Sequence, residues 1–475
     1  TVAAAAAAAE VKKISYELQH RVNLGAGRAL KPGPELLQLV QSKCGTVRSP
    51  TTFKKAYEPF MARIMFLATS PSPTDGELGE LSILTGMNVN VDSPKQMQSL
   101  LYDEWGLPRQ YKKEHGRKTD KLSTDASALL SLFRDTKDER LIDLLRLRAA
   151  MTELETLEAS ADADGRVRCA YNIVGTETGR MACYTSPTGS GYNLQTVTKK
   201  HRHLFRADPD MWFFQCDLSG ADGWTVAAEC AALGDRTMLE DYLAGASPAK
   251  VGVLIKNEGP HWAHESSVKL AEACKHIDKK SWDYFAFKRV QHGANYGLGN
   301  DTMSDQILKD SYKLTGKPVY IPPDECKRYR ELYLTRYKGV LLRHQHIKEK
   351  VMKTARLKDA SGHVRVFGGR LRENATHREA YAHTPQSNTT YVTNMALHRL
   401  WYDKENRTEA NKLIVEPLHQ VHDALNGQFP RAKLEWARTK IREWFNNPIT
   451  VDGVQVTIPF EGTYGESWGD VVGTI

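Results

Sequence analysis

The sequence contains no run approaching the ~20 consecutive apolar residues that a membrane-spanning helix requires, so no membrane partner is expected. Its seven cysteines (Cys44, Cys169, Cys183, Cys216, Cys230, Cys274 and Cys326) include no CxxC pair. Neither a zinc site nor a disulfide framework is therefore suggested, and a reducing, cytosolic setting is expected. A basic start and a cleavage pattern are also missing: residues 3–9 are seven alanines. No secretory signal is expected. There is no internal repeat. Nor does one sign of charge dominate, since 65 Lys and Arg face 57 Asp and Glu for a net +8. That balance permits a polyanionic partner without demanding one.

What is present is a chain of 475 residues, 41% hydrophobic, enough for a sizeable core and two to four lobes. Residues 1–85 read as irregular, with Pro and Ser spacing in "TSPSPTDGELGE" placing a boundary near 80–86. From 86 to 160 the pattern is helical. Ser93 is set as an N-cap with Pro94 at the first helical position, and "DERLIDLLRLRAAMTELETLE" repeats apolar residues at three- and four-residue intervals. "MWFFQCDLSG" (211–220) is a short apolar run bounded by Asp and Gly, which predicts a buried strand projecting Asp217 from its end. Residues 236–360 are mainly helical, and 361–475 mix strands and helices. "KLIVEPLHQVHDALNGQFP" predicts a hairpin with His422 and Asp423 at its tip. Basic residues cluster in "YKKEHGRKTDK" (111–121) and "TKKHRHLFR" (198–206).

Two strand-end aspartates, Asp217 and Asp423, would repel one another if brought together. Hard divalent cations with oxygen ligands resolve that repulsion, and magnesium commonly takes one or two carboxylates plus substrate phosphates. Such a pair of ions suits in-line phosphoryl displacement. "WDYFAFKRVQHGANYGLG" (282–299) supplies a matching phosphate element. Tyr284, Lys288, His292 and Tyr296 are four apart and share one helix face. From Lys288 to Tyr296 is roughly 12 Å at the helical rise, about the length of a nucleoside triphosphate. A lysine can meet the phosphates and a ring can stack on the base.

"DLSGAD" (217–222), "KRVQHGANYG" (288–297) and "QVHDAL" (420–425) resemble, in order, motifs A, B and C of the family A DNA polymerases. "NVNVDSPKQMQSLL", "KTDKLSTDASALL", "TETGRMACYTSPTGSGYNLQTV", "RYKGV", "GHVRVFGGR", "REAYAHTPQSNTT" and "EGTYGESWGD" extend the likeness, in the family's order, over residues 86–475. Motif A, with Gly after Ser, looks closest to phage T7-type enzymes. The resemblance implies an α+β right-hand fold whose palm holds an antiparallel sheet. It sets residues 1–85 as an N-terminal segment of unclear role, 86–160 as thumb, 161–235 and 361–475 as palm, and 236–360 as fingers. It implies DNA-directed DNA synthesis from dNTPs on a primer–template, in the cytoplasm of a bacterial or phage-infected cell, with processivity or replisome proteins as candidate further partners.

By the same resemblance, Asp217 and Asp423 would ligate two Mg2+ ions with help from the Leu218 carbonyl. Lys288 would bind the triphosphate and donate a proton to the leaving pyrophosphate. Tyr296, His292, Asp222 and Arg289 would surround the nucleotide. Arg180, Asn193, Gln195, Arg378, Gln386 and His422 would contact primer and template. Four departures stand out. Ala424 replaces the acid that usually follows the motif C aspartate. Tyr284 replaces a phosphate-binding arginine, with Arg289, His261 or His264 as candidate substitutes. His292 replaces an aromatic residue against the sugar. Asp222 is a sugar-excluding glutamate shortened by one methylene, and Gly223 is read as giving its backbone unusual freedom. A single-subunit RNA polymerase and a non-catalytic nucleic-acid-binding relative are the alternatives; an acid at 222 argues against the first and retention of Asp217, Asp423 and Lys288 against the second. "DGE" (75–77) has an acidic Asp-x-Glu pattern, but the ~85 residues before the polymerase region are short for a domain, so no 3′–5′ exonuclease is expected in this chain.

Overall fold

Apolar side chains spaced for one helix face organise the first part of the chain. The computed structural model describes every residue except 1, 47–48, 115–116, 159–160, 174, 186–190 and 369. Two pieces of stretches singled out in the sequence, residues 115–116 of the basic run 111–121 and residues 186–190 before "GYNLQ", thus lie outside the described residues. The chain divides into two compact units, Thr1–Ala159 and Ser160–Ile475.

In the first unit, helix α1 (Val2–Gly25) packs against α2 (Asp75–Leu84), with α3 (Ala126–Thr136) and α4 (Arg140–Leu157) following; α4 also lies on α1. Val11, Leu18 and Val22 of α1 are buried. Between them the Asn23 amide donates to Ser82 Oγ at 2.9 Å, and its carbonyl oxygen accepts from the Val89 N–H at 3.0 Å. A buried amide satisfied this way costs little and fixes how the helices meet. Residues 1–85 are therefore not irregular, which corrects the sequence reading. The Pro and Ser residues of "TSPSPTDGELGE" mark the entry to α2, where Thr74 and Glu77 form a reciprocal capping box. Asp75 and Glu77 are thus first-turn residues of a capped helix. The division of the chain falls between residues 159 and 160, beside the boundary expected between 86–160 and 161–235. Within 86–160, Ser93 caps a helix as expected, accepting from the Gln96 N–H. The helical pattern breaks, however, at an antiparallel hairpin, Tyr111–Glu114 with Arg117–Leu122. That stretch has no apolar period of three or four, and Lys118 instead lies 4.2 Å from the Tyr111 ring centroid across the strands.

The second unit is built on one sheet. In chain order its elements include the hairpin β1 (Cys169–Asn172) and β2 (Ala182–Thr185), strand β3 (Met211–Leu218), and helices α5 (Ala221–Ala232), α6 (Trp282–Asn295), α7 (Asn300–Thr315), α8 (Pro323–Arg336), α9 (Gly339–Thr354) and α10 (Asn374–Tyr402). Strands β4 (Glu416–Val421) and β5 (Ala424–Pro430), helix α11 (Leu434–Phe445), and strands β6 (Phe460–Gly465) and β7 (Gly473–Thr474) complete it. The sheet order is β4-β5-β3-β6-β7, every pairing antiparallel. Strand β3, as the apolar run predicted, is central. Alternation along it sends Phe214, Cys216 and Leu218 into the main core with α5 and α10. Phe213 faces the other way, into a smaller cluster with Leu194, Val197, Val421 and Trp468. Buried ion pairs lock the helices: Arg343 of α9 to Glu229 of α5, and Arg336 of α8 to Asp241, whose Oδ1 lies 2.5 Å away.

Candidate active site

The chain pattern that made β3 a strand also ends it at a usable place. Leu218 is its last residue, and Gly220 adopts φ 65° as it turns the backbone into α5. A residue with a Cβ is disfavoured in that left-handed conformation. On one flank Asp217 lies opposite Ala424 of β5, and on the other opposite Glu461 of β6. Directly opposed residues of a pleated sheet share a face. Asp423 occupies the tight turn between β4 and β5, next to His422 at φ 54°, and its carbonyl accepts from the Leu218 N–H at 3.4 Å. The hairpin tip and the strand end read separately from the sequence are therefore neighbours.

The two carboxylates share an electrostatic problem. Loss of water pushes Asp423 up to about 6, with Asp222 and Asp217 adding like charge and Arg180 opposing them. The Arg180 guanidinium lies 3.2 Å from Asp423 Oδ1. The surrounding protein, then Glu461, raises Asp217 as well, while Lys288, Arg202 and Lys199 act against the shift. An excess of hard, partly desolvated carboxylate oxygen is what a divalent cation would relieve. Among the described residues no group of three or more His, Cys, Asp and Glu side chains is arranged to hold a metal. A site of two carboxylates with one backbone carbonyl, at Leu218, still fits magnesium, which leaves its remaining positions to water and phosphate.

Helix α6 forms where Ser281 caps it, its side chain accepting from the Tyr284 N–H at 3.2 Å. Lys288, His292 and Tyr296 follow along it as the four-residue spacing predicted. Lys288 is solvent-accessible, yet its pKa is lowered, by loss of water first and then by Arg289, Lys279 and Lys199. Arg289 is held by Asp310 of α7 at 2.5 Å and packs over Phe285. His261 and His264 sit in a separate short turn, Pro260–His264. The cations whose charge reaches Asp217 or Lys288 from outside the expected set are Lys199, Arg202 and Lys279. Lys199 and Arg202 belong to the basic run at 198–206. Their convergence on β3 depends on tertiary folding and leaves no local signal.

The Tyr296 hydroxyl donates to Asp222 Oδ2 at 2.5 Å, and the His292 ring meets the Tyr296 ring edge-on at 4.3 Å. Asp222 stands in the first turn of α5. Gly223 beside it is helical, so the expected backbone freedom is not its role. A Cβ there would come within 2.0 Å of the Tyr242 hydroxyl. The glycine makes room for a ring that stacks on Trp224 and whose hydroxyl accepts from Gln291 Nε2 at 2.9 Å.

The remaining expected contacts divide. Gln195 spends its amide inside the protein, accepting from the Cys183 N–H at 3.3 Å and donating to the Met181 and Gln420 carbonyls at 3.1 and 3.4 Å. Asn193 caps the short turn Leu194–Thr196, which contains Gln195, by accepting from the Gln195 N–H with its side chain. Those two residues hold the β1–β2 hairpin, and with it Arg180, against the turn that carries His422 and Asp423. Tyr171 reinforces this, bonded to the backbone of Gln420 in both directions at 2.8 and 2.9 Å. Arg378 and Gln386 lie on α10 with partial exposure, and His422 is exposed.

Comparison with known proteins agrees with this arrangement. The family model described as DNA polymerase family A matches residues 78–470. DNA polymerase I of Treponema pallidum is 24% identical over 397 residues, covering 82% of this chain and 35% of that protein. DNA polymerase I of Mycobacterium tuberculosis is 24% identical over 402 residues, covering 81% and 39%. The chain thus spans less than two-fifths of the length of these relatives. The POL domain of Pol1 from M. smegmatis, solved in complex with DNA primer-template and dNTP, superposes with a TM-score of 0.62 at 20% identity, over 95% of this chain and 70% of that one. The fold is that of the right-hand polymerases, and, with the family model matched over most of its length, the chain belongs to DNA polymerase family A.

Proposed function

We propose that this chain extends a DNA primer on a template, adding dNTPs and releasing pyrophosphate. The observation that carries the reading is the convergence of Asp217 and Asp423 at one end of the sheet with Lys288 in electrostatic reach of Asp217. Asp217, Asp423 and the Leu218 carbonyl would hold two Mg2+ ions. Bound there, the ions would activate the primer hydroxyl and stabilise the leaving oxygen. Lys288 orients the triphosphate and donates a proton to the leaving pyrophosphate; its lowered pKa makes the proton easier to give. Arg180 and His422 position the primer end. Tyr296 and His292 line the base and sugar, and Asp222 excludes the 2′-hydroxyl. Arg378 and Gln386 touch template or primer.

Residues 86–160 act as thumb, 161–235 and 361–475 as palm, and 236–360 as fingers, with 1–85 an added helical segment. The Gly after Ser in motif A supports a kinship with phage T7-type enzymes, and a replisome or processivity protein is a fitting further partner in the cytoplasm of a bacterial or phage-infected cell. Primer extension with Mg2+ on a defined template, each dNTP and rNTP supplied singly, tests the reading. Template-matched incorporation of dNTPs is expected. DNA binding without incorporation would reduce the chain to a binding protein, and preferred rNTP use would make it an RNA polymerase.

A further inference from the structure

The shortened acid at 222 is held from two sides. Tyr296 donates to Oδ2 at 2.5 Å, and Thr389 Oγ1 lies 2.9 Å from Oδ1. The three residues come from separate elements: the start of α5, the turn after α6, and the middle of α10. Thr389 is fully buried, and its hydroxyl carries one hydrogen. Its other acceptor, the Pro385 carbonyl at 2.9 Å, belongs to the backbone of its own helix. A carboxylate is the stronger acceptor, so the hydrogen goes to Asp222. One turn further on, Thr393 Oγ1 lies 3.4 Å from the Asp423 carbonyl oxygen. One face of α10 therefore touches both the Asp222 carboxylate and the catalytic turn.

We propose that Thr389 is a positioning residue for sugar selection: its hydroxyl fixes the Asp222 carboxylate against the site of the ribose. The inference rests on the reading of Asp222 as the group that excludes a 2′-hydroxyl. An aspartate has one side-chain torsion fewer than glutamate and reaches less far, so its placement depends more on what grips it. With Tyr296 alone, the carboxylate can rotate about its bond to Cβ and leave room for a ribose. With Thr389 as well, both oxygens are committed and rotation breaks a charge-assisted bond. Such a bond is strong enough to alter a selectivity by roughly tenfold or more.

The test is single-nucleotide incorporation of matched dNTP and rNTP by the wild-type chain and by Thr389→Val, Thr389→Ser and Asp222→Ala. Thr389→Val keeps the shape and removes the hydrogen, and the ratio of kcat/KM for dNTP over rNTP should fall about tenfold. Thr389→Ser, which restores the hydroxyl, should bring the ratio back. An unchanged ratio in Thr389→Val beside a reduced one in Asp222→Ala would overturn the role of Thr389 and leave the gate at Asp222 standing. Equal losses with dNTP and rNTP would overturn it too, making Thr389 merely structural. An unchanged ratio in Asp222→Ala would remove the gate itself, and the inference with it.

Discussion

Arg180 and Asp423 are 243 positions apart in sequence and 3.2 Å apart in the fold. The arginine comes from the loop joining β1 to β2, the aspartate from the turn joining β4 to β5. In the free protein the guanidinium thus covers one oxygen of a carboxylate proposed to bind metal. Arg180→Ala should lower kcat/KM for primer extension roughly 10- to 100-fold, as for loss of a hydrogen bond between charged groups. Titrating Mg2+ in the same assay should show half-activation at a lower concentration in the variant, because a competing cation has gone. A variant indistinguishable from wild type in both readouts would make the pair incidental.

Asp217→Ala and Asp423→Ala should each abolish extension, since charge stabilisation by bound metal is worth several kcal/mol. Primer–template affinity should largely persist, because Lys and Arg contacts to phosphate dominate it. Gel shift beside extension separates the two. Near-normal turnover in either variant would sink the two-carboxylate assignment.

Lys288→Ala should raise KM for dNTP and slow turnover while leaving DNA affinity nearly unchanged, because on the proposed reading the charge meets the phosphates and acts most in the transition state. Parallel loss of DNA binding would make Lys288 a template contact instead.

Gly223→Ala should destabilise the folded chain by about 1–3 kcal/mol, the usual range for overpacking a filled core. The new methyl would meet the Tyr242 hydroxyl at 2.0 Å. Combining it with Tyr242→Phe removes the closest atom, so the double variant should lose less than the sum of the singles. Strict additivity in denaturant midpoints would place the strain elsewhere.

Acid should weaken the fold through buried histidines. Burial, then Arg202, pushes His419 down to about 3, and burial pushes His383 down to about 4. Among the described residues, neither His419 Nε2 nor either ring nitrogen of His383 has a hydrogen-bond partner. Unfolded histidine protonates near 6.5, so below that pH the unfolded chain binds protons the folded chain refuses. The stability contribution is complete above about pH 6.5 and declines as pH falls toward the folded values, by up to about 2 kcal/mol per histidine at pH 5. His419→Phe, beside Phe213 and Trp468, should reduce the difference in Tm between pH 7.5 and 5. An undiminished difference would assign the acid sensitivity to other groups.

The parts of the site legible in the sequence are those with a local signature. An apolar run stopped by Asp and Gly marked β3, alternating residues around a short turn marked the β4–β5 hairpin, and a four-residue spacing marked α6. Glu461 opposite Asp217 depends on strand register, and Thr389 against Asp222 on how two helices cross. Both are written in no single stretch. The first 85 residues were misread because Pro, Ser and Gly punctuate helix starts as readily as loops, and only the Thr74–Glu77 reciprocity distinguishes the two. Gly223 was misread for a related reason: an empty side chain can mean backbone freedom or a neighbour's space.

Strand β3 is paired with β5 over residues 211–217 and with β6 over residues 213–218. Fixing a residue's backbone costs about 1–2 kcal/mol of entropy, and at Asp217 folding has already met that cost before any ligand arrives. Amide exchange along β3 should accordingly be among the slowest in the second unit. The ordering that accompanies substrate binding is then left to side chains and to the helices around the sheet, while the backbone beneath the reacting atoms stays still.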